Sequence, residues 1–199
     1  MIAYPSMTEA VELFALQKYV VWRSCLKDPQ LSLLYRYACK RADSGTMAHD
    51  ARSPGAWATP GDLFTDGLLM DLMPLVEDIT QLRLFPTYSY FRVYKRGDIL
   101  VKHTDRPSCE LSVTMCLGYE AERPWPLLLE SPAGVLPIEL GPGDALFYRG
   151  TECMHWREPM NGERAAQVFL HYVDQNGPYA DWKYDKRKEL PFSLPRSPR

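Results

Sequence analysis

The run TYSYFRVYKRGDILVKHTD, at residues 87–105, marks the point where the chain changes from helical to strand character. Aromatic and β-branched residues fill its first part, a Gly-Asp pair signals a turn, and ILVKH resumes the strand pattern. Similar runs follow, separated by Gly, Pro, Asp and Asn: LSVTMCL (111–117), PLLLE (126–130), GVLPIEL (134–140), ALFYR (145–149) and AAQVFLHYV (165–173). Seven or eight short strands at this spacing predict an antiparallel sandwich or barrel and not alternating βαβ units.

The part of the chain before these strands is predicted to be mainly helical. Apolar residues recur at three- and four-residue spacing in 7–26, 29–43 and 64–82, with Pro74 marking a bend or a restart in the last of them. Between the helices, 44–62 is rich in Gly, Pro, Ser and Ala and lacks periodicity, so we expect a loop. Because the strands alone would leave one sheet face uncovered, we expect the helices to pack on it.

A single α+β domain is therefore predicted. Residues 1–83 would be mainly helical support, 84–173 the β core, and 174–199 an extended C-terminal tail that is polar, basic and proline-rich. Within one chain of 199 residues this is enough to bury a sizeable core.

Composition and charge exclude several classes of function. The chain is 46% hydrophobic and 24% charged with a net charge of −2, so no overall positive field favours nucleic acid or an anionic membrane. No apolar run approaches the roughly 20 residues that cross a bilayer, and the acidic start lacks the pattern of a secretory signal. The five cysteines are odd in number and form no CxxC pair, which indicates reduced thiols and a cytoplasmic protein.

Three side chains are candidate metal ligands. His103 and Asp105 flank a single threonine at the end of one strand run, a pattern that is weak by itself. His155, in GTECMHWREP, follows the turn-strand-turn sequence GPGDALFYRG and can approach them from a late strand. Two imidazoles and one carboxylate form the ligand set of non-heme Fe(II) sites, in which the remaining coordination positions stay open.

These residues resemble the prolyl 4-hydroxylase-like branch of the 2-oxoglutarate and Fe(II)-dependent dioxygenases. Tyr94-Lys-Arg-Gly-Asp-Ile-Leu-Val-Lys-His-Thr-Asp105 is similar to the YxxGxxxxxHxD motif of that branch, and GPGDALFY to its strand-entering segment. His155-Trp-Arg-Glu-Pro159 is similar to the stretch around its distal histidine. Gly162-Glu-Arg164 lies where the branch has a basic residue about ten positions past that histidine, here nine.

The resemblance implies a double-stranded β-helix, or jelly roll, with the N-terminal helices packed on one sheet. It implies an enzyme that hydroxylates an unactivated C–H bond, with Fe(II) as cofactor and 2-oxoglutarate and O2 as co-substrates. His103, Asp105 and His155 would hold the metal. Arg164 would anchor the distal carboxylate of 2-oxoglutarate, because a guanidinium offers two hydrogen bonds in a fixed plane, and the Tyr94 hydroxyl would add a donor.

Several alternatives stay open. If the last strand is regular, Arg164 and His171 lie on opposite faces, and taking the Arg164 face as the interior makes His171 structural. Arg106 lies beside the carboxylate ligand, where it would contact an acidic substrate or pair with Glu110. Trp156 and Arg157 follow the distal histidine and would line the substrate side, although a packing role is favoured for Trp156.

The substrate is also open. A small metabolite or free amino acid is slightly favoured over a peptidyl residue such as proline, and the acidic balance disfavours nucleic acid. The competing function is a cupin-like metal-binding module without oxidative turnover, since the same fold hosts both.

Overall fold

The computed structural model of the chain describes residues 5–50, 52–132 and 134–190. The helices are α1 (Met7–Gln17), α2 (Gln30–Asp43) and α3 (Leu63–Thr80), with two short 3-10 helices, η1 (Pro107–Cys109) and η2 (Ala180–Lys186). The strands are β1 (Tyr19–Trp22), β2 (Ala48–Asp50), β3 (Ser53–Pro60), β4 (Leu84–Lys95), β5 (Leu100–His103), β6 (Leu111–Glu120), β7 (Leu127–Ser131), β8 (Gly134–Ile138), β9 (Ala145–Arg149), β10 (His155–Arg157) and β11 (Arg164–Asp174).

The strands form two antiparallel sheets. The large sheet has the order β1-β9-β6-β11-β4-β3-β2, and the small sheet has the order β5-β10-β7-β8. The eight strands from β4 to β11 divide equally between the two sheets, so that β4, β6, β9 and β11 face β5, β7, β8 and β10. This arrangement is a jelly roll, and the predicted fold class is confirmed.

The two faces of the large sheet have different partners. One face packs under the helices, with Val113, Phe147 and Val168 in one cluster with α-helical residues such as Phe14 and Leu69. The opposite face, here called the inner face, packs against the small sheet in a second apolar cluster. Each fully buried Leu, Val or Phe in such a cluster contributes about 1.5–3 kcal/mol, so most of the fold's stability comes from these two layers.

The ends of the helices follow the expected capping chemistry. The Ser6 hydroxyl accepts a hydrogen bond from the Glu9 amide, and the Glu9 carboxylate accepts one from the Ser6 amide. The two bonds form a capping box at the start of α1. Asp62 and Thr65 do the same at the start of α3, which continues through Pro74 as a single helix. No helix in the described part of the chain is long and apolar enough to cross a bilayer.

Two of the local predictions are wrong. The helix predicted for 7–26 ends at Gln17, and Tyr19–Trp22 instead pairs with β9 as an edge strand. The predicted loop 44–62 contains β2 and β3, and β3 pairs with β4. In both cases pairing with a distant strand overrides the local pattern. The predicted extended tail includes η2, while residues 191–199 lie outside the described part of the chain.

Candidate metal centre

The three predicted ligands converge at one end of the jelly roll. His103 ends β5, Asp105 lies in the turn after it, and His155 begins β10 directly opposite His103 in the strand register. The Nε2 atoms of the two histidines lie 3.6 Å and 3.8 Å from Asp105 Oδ1. One ligand atom from each residue lies within 4.8 Å of the others. The HxD turn and a hydrogen-bonded neighbouring strand are therefore sufficient to assemble the set.

Both histidines are oriented for metal binding by the backbone. His103 Nδ1 lies 2.6 Å from the Val101 carbonyl oxygen, and His155 Nδ1 lies 3.0 Å from that of Cys153. A carbonyl oxygen can only accept, so each ring carries its proton on Nδ1 and turns an unprotonated Nε2 toward Asp105. Histidine ligands are commonly fixed in this way, and the donor set fits a divalent transition metal.

The charges at the site also suit a metal. Burial alone would raise the pKa of the Asp105 carboxyl, but the imidazoles of His103 and His155 beside its Oδ1 lower that pKa well below its usual range. Burial lowers the pKa of His155. An ionised carboxylate and a neutral imidazole are the forms that bind metal, so neither residue needs to lose a proton near neutral pH.

A cavity of about 20 Å³ adjoins these ligands inside the jelly roll. Its walls are aromatic, cationic and apolar; beside the three ligands they comprise Arg52, Tyr90, Arg92, Leu100, Thr114, Leu127, Tyr148, Phe169 and His171. A space of this size holds a water molecule. The wall formed by the large sheet carries most of the polar groups.

Arg164 does not face this cavity. Its guanidinium points to the helix-covered face, where Nη2 lies 2.8 Å from Asp43 Oδ1 and the side chain is 32% exposed. The prediction that its face of β11 is the interior is wrong, because Ala166 and Val168 of that face pack under the helices. His171, on the other face, is buried and lines the cavity.

Two other arginines occupy the interior of the barrel. Arg92, on the inner face of β4, is 2% exposed, lines the cavity, and donates from Nη1 to the Tyr94 hydroxyl at 2.8 Å. Arg157, two residues past His155 on β10, is also 2% exposed and donates to the Trp125 carbonyl. Sequence reasoning missed Arg92, although a single cation in an otherwise aromatic strand run is a recognisable signal.

The remaining predicted residues lie around this core. Tyr94 is fully buried on the inner face, and its ring packs edge-on against Trp125. Trp156 lies on the outer face of the small sheet, under the Lys102 ammonium and away from the cavity. Arg106 contacts Asp185 through both of its Nη atoms, at 2.8 Å and 3.0 Å.

The expected partner of Arg106, Glu110, instead accepts a hydrogen bond from the Asp174 amide. The partner of Arg106 lies about 80 residues away in η2, so the local sequence could not identify it. The Arg106 guanidinium lies 4.7 Å from the centre of the Tyr88 ring, so the ion pair packs against this aromatic side chain of β4.

No family model and no curated protein matches the chain. Solved structures with the same fold do match. A prolyl-4-hydroxylase from Pseudomonas putida aligns with a TM-score of 0.70 and 16% identity over 85% of this chain and 99% of its own. A prolyl hydroxylase from Trichoplax adhaerens, in complex with a hypoxia-inducible factor peptide, aligns with a TM-score of 0.72 and 13% identity over 85% of this chain and 89% of its own.

HygX from Streptomyces hygroscopicus, solved with nickel, 2-oxoglutarate and hygromycin B bound, gives a TM-score of 0.67 and 11% identity over 84% and 87% of the two chains. At identities this low the likeness shows a common fold. The function is therefore inferred from the side chains of this chain.

Proposed function

We propose that the protein is a 2-oxoglutarate- and Fe(II)-dependent oxygenase that hydroxylates an unactivated C–H bond. The observation that supports it most is the convergence of His103, Asp105 and His155 beside a cavity inside the jelly roll. Three protein ligands on one side of a metal leave positions for a co-substrate and oxygen. Fe(II) held there would supply the oxidative chemistry, in which 2-oxoglutarate is decarboxylated to succinate and one oxygen atom enters the substrate.

The protein's own contribution is to bind, orient and exclude water. We assign the distal carboxylate of 2-oxoglutarate to Arg92, with the Tyr94 hydroxyl fixing the guanidinium from the far side. A buried guanidinium is permanently charged and can pair with a carboxylate through two hydrogen bonds. The aromatic rings of Tyr90 and Phe169 lie over the same guanidinium, at 5.4 Å and 5.5 Å, and keep water from it.

Arg157 adds a second positive charge deeper in the barrel. It forms no ion pair with a carboxylate among the residues that the structure describes, and burial lowers its pKa. An uncompensated buried charge is costly, so a bound dianion would stabilise this region. Because the cavity is smaller than a five-carbon dicarboxylate, binding would require side chains in its lining to move.

These arginines favour the oxygenase over a cupin-like module that only binds metal. A metal module needs the three ligands but has no use for buried cations beside them. Within the oxygenase we propose a small metabolite or amino acid as substrate, with a peptidyl residue as the alternative. All five cysteines are free, which supports a reducing compartment, and we propose a cytoplasmic location.

The test is anaerobic titration of 2-oxoglutarate into the Fe(II)-loaded protein, followed by the weak visible band of a keto acid bound to Fe(II) through two oxygens. We expect the band in the wild type and in His49→Ala, because His49 is an exposed histidine on β2 that packs against Trp57 of β3. We expect none in His155→Ala. A wild-type protein that binds Fe(II) without this band would favour the metal module.

If the band forms, succinate release in air against panels of amino acids, metabolites and peptides identifies the substrate class. The readout is succinate formed above the rate without substrate. Stimulation by peptides alone would replace the small-molecule assignment with the peptidyl one.

A further inference from the structure

The Asp105 carboxylate is held from the side opposite the two histidines. Its Oδ1 faces the Nε2 atoms, while its Oδ2 accepts a hydrogen bond from Ser112 Oγ at 2.9 Å. Gly150 lies against the same oxygen, because a Cβ added there would be 2.4 Å from Oδ2. The Gly150 carbonyl oxygen also accepts a hydrogen bond of 2.9 Å from the Asp105 amide. The carboxylate is therefore confined in the orientation that offers one oxygen to a metal.

The contact continues from Ser112 to His171. Ser112 is on the inner face of β6, and its Oγ lies 2.9 Å from Nδ1 of His171 on β11. It also lies 3.2 Å from the Cys109 carbonyl oxygen. Both strands belong to the large sheet, and Ser112 pairs with His171 in its register. Strand pairing thus fixes the distance between the two side chains.

The number of protons determines the direction of these hydrogen bonds. Serine has one hydroxyl proton, and the Asp105 carboxylate and the Cys109 carbonyl can only accept. If Ser112 donates to Asp105, His171 must donate from Nδ1–H to Ser112 Oγ. If Ser112 donated to His171 instead, lone pairs of Ser112 Oγ and Asp105 Oδ2 would face each other at 2.9 Å. The favoured neutral ring of His171 therefore carries its proton on Nδ1 and a lone pair on Nε2.

That Nε2 atom has no hydrogen-bond partner among the described residues, although His171 is only 2% exposed. The ring lines the cavity beside the three ligands. Leaving a buried polar atom without a partner is unfavourable, because the atom has lost its hydrogen bonds to water. A ligand that supplies a hydrogen bond at this point would remove that cost.

We propose that Ser112 and His171 are positioning residues for the metal ligand Asp105, and that His171 Nε2 accepts a hydrogen bond from the substrate. The substrate would then carry an N–H or O–H donor next to the C–H bond that is oxidised. This inference rests on the proposed function, since it takes Asp105 as a ligand of the catalytic metal.

Metal affinity tests the positioning role. Ser112→Ala removes the donor to Oδ2, and changes of this kind typically weaken metal binding 10- to 100-fold. We expect that loss when Co(II) is titrated into the protein, with binding largely recovered in Ser112→Thr, which keeps the hydroxyl. Ser89→Ala is the matched control, because Ser89 is another buried serine that donates to a carboxylate, that of Asp66, but on the helix-covered face.

The outcomes separate this inference from the proposed function. No Co(II) binding by the wild type would refute the metal site itself. Normal wild-type binding with an equal dissociation constant in Ser112→Ala would refute the positioning role alone. Loss of binding in Ser89→Ala as well would show that any buried serine matters, and would also refute it.

The proton on His171 can be observed in the wild-type protein, with a variant used only to assign the signal. In zinc-loaded protein with ¹⁵N-labelled histidine, only four histidines contribute signals. We expect His171 to show a protonated Nδ1 and a bare Nε2, with the assignment made by loss of the signal in His171→Phe. A proton on Nε2 would make this atom a donor toward the cavity and would overturn the proposed acceptor role.

Discussion

Replacing Arg92 by methionine should weaken 2-oxoglutarate binding far more than replacing Arg164. Arg92 is buried beside the three candidate metal ligands, so without it the distal carboxylate of the co-substrate would lose a desolvated partner. Removing one member of a buried charge pair costs roughly 3–5 kcal/mol, which corresponds to about two to four orders of magnitude in the dissociation constant. Arg164, in contrast, forms a partly exposed pair with Asp43 that contributes about 0–1 kcal/mol to stability and none to this binding.

The assay is anaerobic titration of 2-oxoglutarate into protein saturated with Fe(II), followed by the visible band or by calorimetry. Thermal unfolding and Fe(II) affinity of each variant show whether the fold and the metal site survive. Tyr94→Phe should weaken binding by only about two- to tenfold, because the acceptor that orients Arg92 is lost while the charged guanidinium stays in place. Normal binding in Arg92→Met with weak binding in Arg164→Met would refute the reasoning and restore Arg164 as the anchor.

The strand register allows a sharper version of this test. Gln167 of β11 pairs directly with Arg92 of β4, and both side chains are on the inner face. The Cβ atoms of such a pair lie about 4.5–5.5 Å apart, so a guanidinium on either strand reaches nearly the same space. The double variant Arg92→Gln/Gln167→Arg should therefore recover part of the affinity that Arg92→Gln loses. No recovery in a folded, Fe(II)-binding double variant would mean that the charge is needed at Arg92 itself.

Three further predictions concern Gly150, the pH dependence of stability and the Arg106–Asp185 ion pair. Gly150→Ala should lower Co(II) affinity at least about tenfold, because its Cβ would overlap the Cys109 carbonyl oxygen as well as Asp105 Oδ2 and force both to shift, and Co(II) titration checks this. Burial lowers the pKa of His171 to about 4, so between that value and about 6.5 the unfolded chain binds a proton that the folded protein excludes. Stability should thus fall by up to roughly 3 kcal/mol as pH drops through this range, and urea unfolding of His171→Phe should show a smaller decrease. The Arg106–Asp185 pair is partly exposed, and a double-mutant cycle should give a coupling energy of about 1 kcal/mol or less.

The β core and the convergence of His103, Asp105 and His155 were the parts that the sequence could predict. Each run from Leu84 onward forms a strand, since short β-rich segments between turn residues have few other ways to bury their side chains. His103 and Asp105 lie in one turn, so their proximity is local. The strands β1 to β3 were not predicted, because β1 and β3 are extended through pairing with distant strands, and β2 is extended through pairing with β3.

The alternation of apolar and polar residues could not show which face of the large sheet is the inner face. On β11 every residue from Ala165 to Val173 is buried, because helices cover one face and the small sheet covers the other. An apolar row such as Ala166 and Val168 is then as compatible with a helix interface as with a barrel interior. The polar residues carry the information instead. The β11 face that includes Gln167 and His171 needs hydrogen-bonding partners, and His171 Nε2, beside the cavity, has none among the described residues. On β11 the face with the buried polar side chains is therefore the one that we propose as functional, and Arg92 lies opposite Gln167 on the neighbouring strand.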